Sequence, residues 1–405
     1  MYIAVILILI LLNCSTAQVA TCTDDANNNP PNVVSSNIIK SAVNPVWAQS
    51  ARNVNDGDEH SIARTLAHFT ANNGDIKVLA YSDDPPNLPP RNEKSKAKGV
   101  LLVDNRANDA AAWFVHTVPK FLAHLGGYSW PAAETPKGHM FLCLSLSEAH
   151  LNSVAKAIRY QEPFIYANNL SPQLLNQHVE LSNLITGAQI RVTPFLEHSK
   201  FATKATAGAA ANIEAFGKHT KSYLDMYAKV LKKKLAASIR IWAPSDTRSK
   251  SICKGQYQLR KVASPMQFDV SRGADSAKWA LIDGKNTVCF TTNDYTATDK
   301  RTPGAAVCLE NADMYAKVLK KKLAASIRIW APSDTRSKSI CKGQYQLRKV
   351  ASPMQFDGVQ VRREVDSARW AATEKQIPGA AVCLENAAVY NTFRTAASNF
   401  EACNI

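Results

Sequence analysis

Residues 98–121 read KGVLLVDNRANDAAAWFVHTVPKF. Two apolar runs, 100–103 and 113–115, flank a polar turn at 104–109, which is the pattern of two neighbouring strands. The second run ends on His116. Pro119, with a fixed φ and no backbone N–H, stops further regular pairing. A strand that delivers an imidazole to its end beside a turn holds a reactive group on a rigid support. A histidine that only packs at a strand end gives the same pattern.

Similar runs occur at 76–81, closed by Asp83-Asp84-Pro85-Pro86, at 142–146 around Cys143, at 164–166 and at 239–242. Ser145 with Glu148 reads as a capping box opening a helix whose face is Ala149, Leu151, Val154, Ala155 and Ile158. Residues 215–235, with Tyr223, Met226, Tyr227, Val230 and Leu231, read as an amphipathic helix with lysines along its wet face. Strands alternating with helices predict an α/β layer fold.

A chain of 405 residues is long enough for two or three domain-sized units, or one large α/β domain with internal symmetry. An apolar run at 3–12 followed by small residues, with Ser15 and Ala17 in a small-x-small arrangement, predicts a secretory signal peptide over 1–20. Neither that run nor any later one is long enough to span a bilayer, so no stable membrane association is expected. Beyond the signal the cysteines are Cys22, Cys143, Cys253, Cys289, Cys308, Cys341, Cys383 and Cys403. They are even in number and form no CxxC pair, which favours structural disulfides over zinc. Residues 24–53, rich in Asn, Pro and Ser, read as a poorly ordered arm tied down by Cys22.

The formal charge of +15 points to an anionic partner: nucleic acid, an acidic glycan or a membrane surface. Part of that charge is duplicated, because residues 225–269 recur unchanged as 313–357. Without one of these lysine-rich copies the chain is only moderately basic. The first copy continues through DSAKWALIDGKNTVCFTTND to PGAAVCLENA; the second continues through DSARWAATEKQ to the same PGAAVCLENA. The second therefore lacks the apolar strand at 287–291 that carries Cys289. A single core has one place for each strand, so the expected parse keeps the first copy. It makes 21–150 and 151–313 two halves of one domain, 314–387 a duplicated insertion, and 388–405 the tail of the domain.

GxGxxG, GxxxxGK[ST], GxSxG and HExxH are absent, and the nine histidines lack metal-ligand spacing, so neither a cofactor nor a metal site is expected. In order and spacing, YSDDPP (81–86), KGVLLVD (98–104), WFVHTVPKF (113–121), YSWP (128–131), GHMFLCLS (138–145), FGKHTKSYLDMY (216–227), DSAKWAL (275–281) and GAAVC (304–308) resemble deoxyribonuclease II. The resemblance implies a phospholipase D-like α/β fold of two pseudo-symmetric halves, each a mixed β-sheet flanked by helices. It implies DNA as the partner, hydrolysed without a metal to 3′-phosphate ends. One imidazole attacks phosphorus, another protonates the leaving 5′ oxygen, and lysines stabilise the phosphate charge.

Carried onto this chain, His116 matches the catalytic histidine of V-H-[ST]-V-P. The second motif, D-H-S-K-W, stands as 275–279 with Ser276 in place of the histidine and Lys278 retained; in the second copy, 366–370, Ser367 and Arg369 stand at those positions. Serine without an activating base replaces neither a proton acceptor nor a nucleophile at pH 5–7. A literal HSK at 198–200 lacks the flanking Asp and Trp and reads as a surface turn; His219, in HTK, is set aside similarly, and His139 borders the cleft or packs at its rim. The V-Y-K-x-P strand expected after the first cysteine is missing between Cys22 and Asn53. The resemblance also implies the disulfides Cys22–Cys143, Cys289–Cys308, and a pair joining the Cys253 position to Cys403. Two functions remain open: a secreted or lysosomal deoxyribonuclease II-like enzyme of weak or lost activity, and an inactive secreted DNA- or polyanion-binding protein.

Overall fold

The structure is a computed structural model. It describes residues 20–23, most of 52–312 (without 53, 58, 107, 205–209 and 263–271), Tyr315, and short strands at 33–34, 38–39, 47–48 and between 327 and 373. The chain divides into two units, one of 1–262 with 271–317 and one of 263–270 with 318–405. Residues 1–19 of the expected signal peptide, Cys341, Cys383, Cys403 and the segment 388–405 lie outside the described residues.

The first unit holds two large sheets, besides a two-stranded pairing of Ile38–Ile39 with Trp47–Ala48. The strands of the first are β1 (Val33–Val34), β2 (Ile76–Ser82), β3 (Lys98–Asp104), β4 (Ala111–His116), β5 (Phe141–Leu146) and β6 (Ile165–Asn168). They lie in the order β1-β5-β4-β3-β2-β6. Within the arm, Val33–Val34 pairs antiparallel with β5 at this sheet's edge, so that part of 24–53 is drawn into the fold. The second sheet comprises β7 (Leu196–Ala202), β8 (Asn212–Lys218), β9 (Ile239–Trp242), β10 (Leu259–Lys261), β11 (Trp279–Ile282), β12 (Thr287–Thr291) and β13 (Gly304–Glu310). Its order is β10-β9-β11-β12-β13-β8-β7, and the pairing that makes it mixed is the parallel one between β9 and β10 at its edge.

The alternation along each strand explains why the sheets are layered. One face of the first sheet, with Val78, Val100, Leu102, Ala112, Phe114 and Cys143, packs into a core with Phe69 and Phe121. One face of the second, with Ile239, Ile241, Ala280, Cys289 and Cys308, packs against Met226, Tyr227, Val230 and Leu231. From the opposite faces Tyr81, Trp113, Val115 and Leu142 meet Phe290, Ala305 and Val307 around one cleft. Both faces of both sheets are covered, so the central strands read as nearly continuous apolar runs.

Helix α1 (Leu151–Tyr160) buries Leu151, Val154, Ala155 and Ile158 as its spacing predicts. Its entry differs from expectation. Ser147, not Ser145, accepts from Ala149 N at the start of the preceding short turn, Glu148–His150. Ser145 remains in β5, and its Oγ accepts from Cys22 N at 3.1 Å. The helix lies so close to β8 that a Cβ on Gly217 would stand 2.5 Å from Ala157 O and 2.7 Å from Tyr160 Cβ. Gly217→Ala is expected to destabilise the fold by roughly 1–3 kcal/mol through forced backbone movement, read as a lower urea midpoint. An unchanged midpoint would mean that the helix moves aside freely.

The helix expected over 215–235 is corrected. Asn212–Lys218 is a strand held between β7 and β13, so two flanking ladders override the local helical spacing. The exposed Tyr223 then takes φ 52°, and a π-helical turn follows at Met226–Leu231, capped by Asp225 Oδ1 accepting from Ala228 N at 2.6 Å. Met226, Tyr227, Val230 and Leu231 are buried as expected. His198 lies on the edge strand β7 rather than on a surface turn, its Nε2 2.5 Å from Glu214 Oε2 and its ring stacked on Phe216.

In the second unit, Ile327–Trp330 (β14) pairs parallel with Leu347–Lys349 (β15) and antiparallel with Trp370–Thr373 (β16). This is the pairing that β9 makes with β10 and β11, residue for residue in its parallel register. The duplicated segment thus repeats the edge module of the second sheet.

Candidate active site

The strand ends that face one another between the sheets enclose a cleft of ≈ 430 Å³. His116, Ser276 and Lys278, the residues singled out from the motifs, all line it, together with Lys96, Lys98, Asp83, Arg272, Asp275 and Asp294. The two flanks are built alike. Lys96-Ala97-Lys98 leads into β3 as Ser276-Ala277-Lys278 leads into β11, and each lysine sits beside the end of the next strand: Lys98 pairs with His116, and Lys278 O accepts from Thr291 N at 2.9 Å.

His116 is buried, with Phe121 edge-on at 5.4 Å and Phe141 stacked at 6.5 Å between ring centroids. Burial first, then the charges of Lys98 and His139, hold its pKa well below the ordinary imidazole value. Its Nδ1 accepts a hydrogen bond from Val118 N at 3.2 Å. The neutral ring therefore carries its proton on Nε2.

The cleft lysines are clamped by carboxylates. Lys98 Nζ lies 2.5 Å from Asp83 Oδ1. Lys278 Nζ lies 2.9 Å from Asp294 Oδ1 and donates to Thr292 O at 2.9 Å, while Lys96 pairs with the other oxygen of Asp294 and lies 3.6 Å from Asp299. Burial opposes ionisation of Asp294, but the two lysines outweigh it and hold the carboxyl below its usual range. Ser276 is fixed by its backbone: its N–H donates to Gly138 O at 2.8 Å, next to His139. Asp275 accepts from Trp242 Nε1 at 2.7 Å and from Ala277 N at 2.8 Å, which holds the loop rigidly.

His139 lies one residue from this bridge, its Nε2 3.2 Å from both Glu134 O and Glu134 Oε2; it is buried under Trp130 and is not in the cleft lining. His198 is not in the lining either. His219 borders a separate cavity. The disulfides Cys22–Cys143 and Cys289–Cys308 are formed. Cys253 is exposed and free, and the expected pair with Cys403 falls on a residue outside the described ones. Among the described residues no group of His, Cys, Asp and Glu is arranged to hold a metal ion, and no helix is long and apolar enough to cross a membrane. Lys96, Asp83 and Asp294 were missed in the sequence; the available signal was the parallel between Lys96-Ala97-Lys98 and Ser276-Ala277-Lys278.

A profile of the family Deoxyribonuclease II matches residues 34–327. The chain belongs to the deoxyribonuclease II family. It is 22% identical over 290 residues to deoxyribonuclease-2-alpha of Bos taurus, covering 69% of this chain and 76% of that protein. It is 24% identical over 274 residues to plancitoxin-1 of Acanthaster planci (64% and 74%), and 20% identical over 305 residues to deoxyribonuclease-2-alpha of Sus scrofa (72% and 80%). The family match takes in the first copy of the duplicated segment whole and ends at the start of β14 in the second.

Burial sets an expectation for pH. It lowers the pKa of His68, His116, His124, His139, His178 and His219. Each takes up a proton less readily in the fold than in the unfolded chain, which does so below about pH 6.5. The unfolded state then binds more protons, so stability is fully present above that pH and is lost as pH falls toward the lowered folded values. Thermal midpoints are expected to drop between pH 7 and pH 5; a higher midpoint at pH 5 contradicts this.

Proposed function

We propose that this chain is a secreted or lysosomal deoxyribonuclease II-like protein that takes DNA in the cleft between its sheets and whose metal-independent acid cleavage is weak or absent. The observation that carries the reading is Ser276, which stands in the same cleft as His116 and Lys278 at the position where the D-H-S-K-W motif has its histidine. The two disulfides fit an oxidising compartment.

The full reaction needs two imidazoles. One forms a P–N bond as the P–O5′ bond breaks; the other gives its proton to the 5′ oxygen, and water then releases the 3′-phosphate. Lys96, Lys98 and Lys278 supply positive charge for the phosphate oxygens, at the expense of their pairing with Asp83 and Asp294. His116 alone cannot take both parts. With Nδ1 occupied by Val118 N–H, its outward nitrogen donates a hydrogen bond and has no free pair for phosphorus. That tautomer favours the second reading, a DNA-binding protein on a nuclease scaffold in which His116 donates to a bound phosphate.

The test is plasmid nicking by the purified secreted chain in EDTA near pH 5, beside His116→Ala. Slow nicking that His116→Ala abolishes supports a weak enzyme. No nicking, with DNA binding that dissolves in salt, supports the binding protein. Neither nicking nor binding sinks both.

A further inference from the structure

A second cavity, of ≈ 290 Å³, takes no part in the chemistry above. Four basic residues from three places in the chain border it: Lys94 from the loop between β2 and β3, Arg159 from the last turn of α1, and His219 and Lys221 from the turn after β8. Its carboxylate, Glu162, is already engaged: Oε1 accepts from Thr220 N at 2.7 Å and lies 3.2 Å from His219 Nδ1. Arg159 places Nη2 3.1 Å from Glu180 and donates Nη1 to Ala188 O, while its Nε is buried without a hydrogen-bond partner.

This cavity adjoins the catalytic cleft. Lys96 and Gln161 line the cleft, whereas Lys94 and Glu162 line the cavity. Two independent segments of chain therefore run from the lining of one space to the lining of the other.

We propose that this cavity is a phosphate subsite for the nucleic-acid strand in the cleft, taking a backbone phosphate beyond the one at His116. The proposal rests on the DNA-binding reading above. It gives the HTK at 219–221 a role in holding substrate rather than in chemistry.

The test uses the full secreted chain at pH 5 in EDTA, with a fluorescent single-stranded 12-mer and a dinucleotide as probes over a range of NaCl concentrations. Lys94→Ala/Lys221→Ala is compared with a charge-matched control, Lys233→Ala/Lys254→Ala, at exposed positions outside both cavities. The subsite variant is expected to bind the 12-mer about tenfold more weakly, with a salt slope shallower by about 0.7, the share of one lost single-strand phosphate contact. Dinucleotide binding is expected to stay unchanged, and the control to lose no more than about twofold. Equal losses in both variants, or 12-mer binding that neither changes, would overturn the subsite while leaving the DNA-binding reading intact. No 12-mer binding by the unmodified chain would defeat that reading and the subsite with it.

Discussion

Ser276→His is expected to raise EDTA-resistant plasmid nicking at pH 5 by about 10²–10⁴-fold over the unmodified chain, the usual contribution of a positioned acid–base group. The site is prepared for it. Ser276 is half-buried in the cleft lining, its backbone N–H is tied to Gly138 O, and the neighbouring Asp275 is fixed by Trp242 and Ala277. An imidazole there would join Lys278 and face His116 across the cleft. With the second imidazole restored, His116 keeps the part its tautomer already suits, a hydrogen bond from Nε2 to the phosphate, and the new ring supplies the missing acid–base group. Adding His116→Ala is expected to remove the gain, because members of a catalytic unit are strongly non-additive. A Ser276→His chain that binds DNA and melts normally yet stays inert would show that the defect lies elsewhere in the site.

The second large effect concerns stability. Replacing both Cys22 and Cys143 by serine is expected to cost about 3–5 kcal/mol, since the bridge closes a sequence separation of 121. The disulfide joins the start of the described chain to the centre of β5, where both sulfurs are buried. Removing Cys289–Cys308, with a separation of 19, is expected to cost about 1–2 kcal/mol less on the same loop-entropy argument. Urea denaturation of the two double variants reads the difference. The opposite order would mean that local packing of the bridges, not the length of chain they constrain, sets their contribution.

Much of the architecture could be read locally. Strands at 76–82, 98–104, 111–116, 239–242 and 287–291 coincide with apolar, β-rich runs closed by turns, because a strand covered on both faces needs apolar side chains throughout. Segment 212–218 went the other way: its spacing suits a helix, but the ladders to β7 and β13 outweigh that preference. Ser145 and Ser147 are both plausible caps in sequence; which one caps depends on where β5 ends, and that depends on its pairing with β4.

The sequence by itself determined the family, through its ordered motifs, and with them the placing of His116 at a strand end and the loss of a histidine at 276. Tertiary structure alone decided that Lys96 and Lys278 share Asp294, that Ser276 is tied to Gly138, and that Val118 fixes the tautomer of His116. The reason is one of range. Strand patterns and motifs are written in neighbouring residues, whereas the pair Lys96–Asp294 spans 198 positions and exists because two sheets face each other.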